Sequence, residues 1–157
     1  KDPGKNVGDV IRFVREHRAA GGREELLFLG GGDASLVPQE RGFRDLGFLP
    51  ERDKYLVMAQ AVALINLSVN ESFSIVVMEA WLAGIPAIVS ARSPVTSAHC
   101  RRSGGGAAVG VSEEFHAVLR IWEHESSRKR MAESGRKYVE RQYSWDAVVD
   151  RFLRGAA

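Results

Sequence analysis

The sequence predicts an α/β fold, a doubly wound and mostly parallel sheet flanked by helices. Short apolar runs recur along the chain at Leu26–Leu29, Ala61–Leu67, Ala87–Ser90 and Ala107–Val109, and Phe43–Leu49 holds another short strand. Their length suits buried strands. Stretches with helical spacing alternate with them, and that alternation implies βαβ units joined by right-handed crossovers. The 157 residues are one domain by length, long enough for a single hydrophobic core.

Each element has its own signals. Asn6 to Arg18 places Val7, Val10, Ile11 and Val14 on one face, and Gly21-Gly22 ends that helix. Leu26–Leu29 runs into Gly30-Gly31-Gly32-Asp33, a tight turn leaving a strand. The Phe43–Leu49 strand stops at Pro50, Glu51 to Gln60 can form a short helix, and Ala61–Leu67 is the next strand. After Ala87–Ser90, residues Ser93 to Ser103 read as a long polar loop leading to the last strand. Ser112 opens a helix with Phe115, Val118, Leu119 and Trp122 on one face. A second helix runs from about Ser127 to Gln142, and Ser144 caps a third, with Trp145, Val148, Val149 and Phe152 on its apolar side.

The segment from Glu71 to Pro86 organises the rest. Ser72 or Ser74 can cap its helix, and Gly84 followed by Ile85-Pro86 can end it. Between them, Phe73, Ile75, Val76, Val77, Met78, Ala80, Trp81 and Leu82 are apolar, so the helix is expected to be buried on all sides. Glu79 is the one charge inside it. A buried carboxylate needs a donor from the protein or from a ligand. Glu71 precedes the helix start, where the dipole favours negative charge and the free N–H groups form an anion site suited to phosphate. In open parallel sheets, ligands bind at this end of the strands.

Composition narrows the field. Hydrophobic content of 45% and charged content of 27% are those of an ordinary globular domain. A formal net charge of +2 is too small to argue for a nucleic-acid or membrane partner. With Cys100 the only cysteine, an internal disulfide and a cysteine-built metal site are excluded. No apolar run reaches the length of a membrane span. The opening Lys1-Asp2-Pro3-Gly4 lacks a start methionine, which suggests an excised piece of a larger protein.

Other motifs carry less. Gly30-Gly31-Gly32-Asp33 lacks the third glycine of a dinucleotide fingerprint, since Ser35 stands there, and Leu36-Val37-Pro38 opposes an immediate helix. No Walker A pattern occurs. Adjacent His99 and Cys100 normally point apart, so a nucleophile–base pair is set aside. Arg101 and Arg102 read equally well as anion contacts or as solvated charges. The basic stretch Arg128-Lys129-Arg130, Arg136-Lys137 and Arg141 has Glu133 and Glu140 interleaved, which reads as a solvated face and not as a nucleic-acid surface.

Several stretches in this order resemble a known family. Glu71-Ser72-Phe73-Ser74-Ile75-Val76-Val77-Met78-Glu79-Ala80, continued by Leu82-Ala83-Gly84-Ile85-Pro86-Ala87-Ile88-Val89, resembles the Glu–seven residues–Glu motif of retaining glycosyltransferases of family four. Asp2-Pro3-Gly4-Lys5-Asn6-Val7 resembles the lysine turn near the start of that family's second domain. Leu27–Asp33 resembles its strand and glycine turn, Leu46–Leu49 its short strand and base-side loop, and Tyr143-Ser144-Trp145 the start of its closing helix. The resemblance spans essentially the whole chain.

What it implies is one Rossmann-like half of a GT-B fold, a single donor-binding domain over residues 1–157 with the N-terminal acceptor domain outside the chain. Lys5 matches the lysine on the donor diphosphate. Glu71 matches the first acid, which orients donor-sugar hydroxyls near the reacting carbon and is the catalytic candidate. Glu79 matches the second acid, on the ribose. The backbone N–H groups of Phe73, Ser74 and Ile75 match the helix start that meets sugar and phosphate, and Gly47, Phe48 and Leu49 flank the base. The implied activity is transfer of a sugar from a nucleotide-diphosphate sugar with retention, without metal or cofactor, in the cytoplasm. The implied partners are the donor and the missing N-terminal domain, with no nucleic acid and with peripheral membrane contact left to the missing half. A non-catalytic Rossmann-like nucleotide- or partner-binding module is the alternative. Ser74 replaces the family's usual glycine, and Ser90-Ala91-Arg92-Ser93-Pro94-Val95-Thr96 replaces its Gly-Gly-x-x-Glu loop.

Overall fold

A computed structural model describes residues 1–155. Helix α1 (Val7–Ala19) leads to strand β1 (Leu26–Leu29), then β2 (Phe43–Gly47), α2 (Glu51–Gln60) and β3 (Leu64–Asn66). The organising helix α3 (Ile75–Leu82) comes next, then β4 (Ala87–Ser90), α4 (Pro94–Ser103), β5 (Gly106–Val109), α5 (Ser112–Trp122), α6 (Glu125–Tyr143) and α7 (Trp145–Gly155). All strand pairs are parallel, as the βαβ alternation predicts. They form two sheets, however: β1 with β2, and β3–β4–β5 with β4 in the centre.

Strand β4 is buried along its whole length, and its side chains alternate between two cores. Ile88 joins the cluster of Val10, Val14, Leu26, Phe43, Phe115 and Trp122, which lies beneath α1 and α5. Ala87 and Val89 join Val77, Trp81, Cys100 and Tyr138, beneath α3, α4 and α6. The two helical layers on opposite faces make the doubly wound arrangement that the sequence implies. Among the described residues no helix is long and apolar enough to cross a membrane.

Three expectations change. Residues 94–103 form a helix, not a loop. Ser93 accepts a bond from the Thr96 N–H at 3.4 Å, Pro94 occupies the first turn, and Gly104 (φ +65°) takes the left-handed stop. A cap, a preset proline and a glycine terminator outweigh the weak intrinsic helix preference of the serines and the threonine. Helix α3 is buried on one side only, since Ile75 is 67% exposed and Val76 and Leu82 are also exposed. Its inward face is Val77, Met78, Ala80 and Trp81. Neither Ser72 nor Ser74 caps it through a side chain. The predicted stop holds: Gly84 has φ +86° and Ile85 donates to the Ala80 carbonyl at 3.0 Å.

Helix α7 bears the predicted side-chain cap, with the Ser144 hydroxyl accepting from the Ala147 N–H at 3.3 Å. Its apolar face is exposed, with Trp145 84% and Phe152 74% open to solvent. Trp81 fixes α3 against α6. It is fully buried, donates its indole N–H to the Gly105 carbonyl at 2.7 Å, and lies against Gly135 of α6.

Candidate functional site

The site gathers at the C-terminal end of β3. The apolar run there ends in Asn66, whose side chain ties the next loop to the strand. Asn66 Nδ2 donates to Ser74 Oγ at 2.8 Å and to Glu71 Oε1 at 3.3 Å, while its Oδ1 accepts from the Ser68 N–H at 3.1 Å. These bonds fasten residues 67–74 and hold Ser74 at φ +69°, ψ +71°. That left-handed conformation disfavours a side chain, which accounts for the glycine usual at this position. It also accounts for the missing cap: the Ser74 hydroxyl is engaged by Asn66 and not by the first helical turn.

Glu71 sits at the centre. Lys5 Nζ reaches Glu71 Oε1 at 2.9 Å, across 66 residues of sequence. Burial pushes the Glu71 carboxyl upward, but hydrogen bonds from Lys5 and Asn66 outweigh it, and the group sits below the ordinary glutamate range. It is therefore an ionised acceptor at neutral pH. Lys5 is 55% exposed, so its ammonium faces both Glu71 and open solvent at the start of α3. Asn6 supports this turn: it takes a left-handed φ of +56°, and its side-chain amide donates to the Leu67 carbonyl at 3.2 Å. At the start of α3 the Val77 N–H is used by the Ser74 carbonyl at 3.0 Å. The amides ahead of it, on Ile75 and Val76, have no intrahelical partner by construction.

Lys5, Phe48, Leu49, Lys54, Asn66 and Glu71 border one cleft of about 650 Å³. Phe48 is 86% exposed on its wall. Gly47 beside it turns the chain at φ +62°, its N–H held by Asp45 Oδ1 at 2.9 Å. The structure thus brings Lys5, Glu71, Phe48 and Leu49 together, with Ser74 joined through Asn66.

Two residues lie differently. Glu79 is not on the cleft wall; its carboxylate is met by Lys54 Nζ at 2.8 Å, with both side chains mostly covered. The hydrogen bond it donates to Glu79 raises the Lys54 ammonium above its usual range. The donor that the lone helix acid needed therefore comes from α2. The ring of Phe73 points away from the cleft, edge-on to His99 and Tyr143 at centroid distances of 5.3 and 4.9 Å. Sequence reasoning missed Asn66 and Lys54. Asn66 left a signal, the polar residue interrupting Ala61–Leu67, whereas Lys54 is one of many charges on an exposed helix. Cys100 is buried, burial pushes its thiol up to about 12, and neighbouring His99 bonds to the Tyr138 hydroxyl at 2.9 Å. That rules out the nucleophile pair.

Comparisons with known proteins agree with this architecture. The Xenopus tropicalis "Glycosyltransferase 1 domain-containing protein 1" is 24% identical over 105 residues, which is 66% of this chain and 30% of that protein. Among solved structures, TarM superposes with a TM-score of 0.83 at 13% identity, over 98% of this chain and 32% of that one. Anabaena HepE in complex with UDP and glucose superposes with a TM-score of 0.76 at 14% identity, over 99% and 45%. The chain thus spans less than half the length of these relatives, and the structural likeness is one of fold, that of a Rossmann-like half of a GT-B glycosyltransferase. Residues 38–138 match the family of glycosyl transferases group 1, covering both acids, β2 to β5 and the start of α3, and the chain belongs to that family.

Proposed function

We propose that this chain is the donor-binding half of a retaining glycosyltransferase that uses a nucleotide-diphosphate sugar. One observation carries the reading: Lys5, Asn66, Glu71 and Ser74, from separate segments, converge at the mouth of α3 beside the 650 Å³ cleft. The family membership and the likeness to a structure holding UDP and glucose support a nucleotide-sugar donor.

In this reading the donor diphosphate lies against Lys5 and the backbone N–H groups of Phe73, Ser74 and Ile75. As the bond from the sugar's reacting carbon to the diphosphate oxygen breaks, the diphosphate keeps the electron pair. The ammonium and the helix start stabilise the growing charge. The acceptor oxygen bonds to that carbon on the same face, and its proton passes to the departing phosphate. Glu71, ionised and fixed by Asn66, orients the sugar hydroxyls. Gly47, Phe48 and Leu49 flank the base. Glu79 receives the ribose hydroxyls once Lys54, which lines the cleft in front of it, swings off its carboxylate. The acceptor domain belongs to the remainder of the protein, so the isolated chain binds the donor and transfers nothing.

Calorimetric titration with UDP, GDP and ADP tests this reading. One nucleotide should bind, and Lys5→Ala should weaken it about tenfold, the loss of one charge-assisted contact, with stability in urea lowered by no more than about 1 kcal/mol because the Lys5 ammonium is largely exposed. Failure of all three nucleotides, both with this chain and with protein carrying the upstream half, would sink the reading. The Lys54–Glu79 pair favours one narrower alternative, in which Glu79 is purely structural. In that case Glu79→Gln shifts the urea midpoint and leaves nucleotide affinity unchanged.

A further inference from the structure

A cluster of aromatic side chains holds the loop that leads into α3. Phe73 comes from the loop, His99 from α4, and Tyr138 and Tyr143 from α6. The Phe73 ring meets His99 and Tyr143 edge-on, with interplanar angles of 83° and 79°. Tyr143 also lies 6.0 Å from His99 and 5.6 Å from Tyr138 between ring centres. His99 Nδ1 and the Tyr138 hydroxyl share a hydrogen bond at 2.9 Å, and the Tyr138 and Tyr143 hydroxyls share another at 3.2 Å. Arg151 of α7 sets its guanidinium 6.0 Å from the centre of the Tyr143 ring and donates to the Gln142 carbonyl. Burial makes His99 harder to protonate and pushes the Tyr143 phenol up to about 12, so both are neutral at pH 7.

The residue after Phe73 is strained. Ser74 stands at φ +69°, ψ +71°, a conformation that a residue with a Cβ leaves when nothing holds it. Asn66 holds Ser74 from the strand side, through the serine hydroxyl. That bond fixes the Ser74 side chain but not the peptide unit ahead of it. The Phe73–Ser74 peptide is planar and carries the Ser74 N–H, so its direction is set by the torsions of both residues. A ring pinned at Phe73 fixes the first of those two pairs of torsions. Asn66 and the socket made by His99 and Tyr143 thus grip two successive residues of one strained turn.

We propose that Tyr143 is a positioning residue for the donor: with His99 it holds the Phe73 ring, and through Phe73 it keeps Ser74 left-handed and the N–H groups of Ser74 and Ile75 aimed at the diphosphate. The diphosphate contact rests on the donor-binding reading of the site, whereas the hold on Ser74 does not. Neither Tyr143 nor His99 borders the cleft, so both act through Phe73. An edge-on ring pair has a preferred angle as well as a preferred distance, which an aliphatic anchor lacks. Tyr143 is fixed in turn by its hydroxyl bond to the buried Tyr138 and by Arg151. The ring of Tyr143 carries the effect on Phe73, and its hydroxyl only steadies the ring.

Three variants test this by calorimetry with the nucleotide, among UDP, GDP and ADP, that the parent binds. Tyr143→Leu should weaken binding about fivefold, the worth of one edge-on aromatic pair. Tyr143→Phe keeps the ring and should restore affinity to within about twofold of the parent. Val139→Ala opens the same buried cluster without removing a ring. It should lower the urea midpoint and leave affinity within about twofold. Affinity unchanged in Tyr143→Leu, or reduced as far in Val139→Ala as in Tyr143→Leu, overturns the proposal. NMR on the nucleotide-free protein reads the hold on Ser74 directly. A positive φ brings a residue's amide and Hα protons close, and their cross-relaxation signal is then strong. Ser74 should show that signal in the parent and in Tyr143→Phe, and lose at least about half of it in Tyr143→Leu. An unchanged Ser74 signal in Tyr143→Leu overturns the proposal whether or not a nucleotide binds. A parent that binds none of the three, with the Ser74 signal lost in Tyr143→Leu, would support the hold on Ser74 and count against the donor reading alone.

Discussion

Ser74 shows how one residue carries both strain and order at the site. Its left-handed backbone costs about 1–2 kcal/mol relative to a residue without Cβ, while the hydroxyl's bond with Asn66 offsets about 1 kcal/mol of that. The two substitutions therefore separate. Ser74→Ala keeps the strained backbone and loses the bond, and is expected to destabilise the protein by about 1–2 kcal/mol in urea unfolding. Ser74→Gly loses the bond but relieves the backbone, and should lie within about 1 kcal/mol of the parent. A larger loss for glycine than for alanine would show that the left-handed backbone at this position is not strained. That Glu71 and Ser74 flank a helix start was legible from residue types, while Lys5 was singled out by the family resemblance and the structure brings it to Glu71. The hub that connects Glu71 and Ser74 was not, because a single asparagine in an apolar run has the same local appearance whether it faces a ligand, a loop or solvent.

At the scale of elements, the strands and most helices were legible because burial imposes periodicity. Helix α4 was not: its start rests on one serine hydroxyl, one proline and a glycine at the far end, within a segment whose composition resembles a loop. The burial of α3 was overestimated for a related reason. An apolar composition states what a helix can bury, whereas the neighbours decide what it does bury, and here the side bearing Ile75 and Val76 borders the open site. The covered side depends on a close approach between helices. Trp81 of α3 occupies the space above Gly135 of α6, and a Cβ at Gly135 would overlap the indole ring. Because Trp81 is also tied to the Gly105 carbonyl, it cannot move aside without breaking that bond. Gly135→Ala is accordingly expected to cost about 1–3 kcal/mol as overpacking, despite alanine's better helix propensity. Near-UV circular dichroism and urea unfolding would check it, and a stabilised variant would mean that α6 shifts freely over α3.

At the scale of the whole molecule, a split sheet raises the question of whether the chain behaves as one unit. The division itself could not be read from the sequence, since each strand is apolar in either case and periodicity is silent about which strands become neighbours. The cores give the answer. Val10 and Phe13 of α1 and Leu26 and Phe43 of the two-stranded sheet belong to one cluster with Ile88 and Val109 of the other sheet and Phe115 and Trp122 of α5. Among the described residues the sheets have no shared ladder, but they share a core through α1 and α5. Unfolding either half exposes the same side chains, so the transition should be cooperative, with far-UV dichroism and tryptophan fluorescence tracing the same urea curve. Phe13→Ala is the sharper test. Its ring is buried and lies 5.8 Å from that of Phe115, at the junction of the halves. The expected loss is about 3–5 kcal/mol, with the two probes still coincident. Separation of the curves in the variant would show that the packing of α1 on α5 is what couples the two halves.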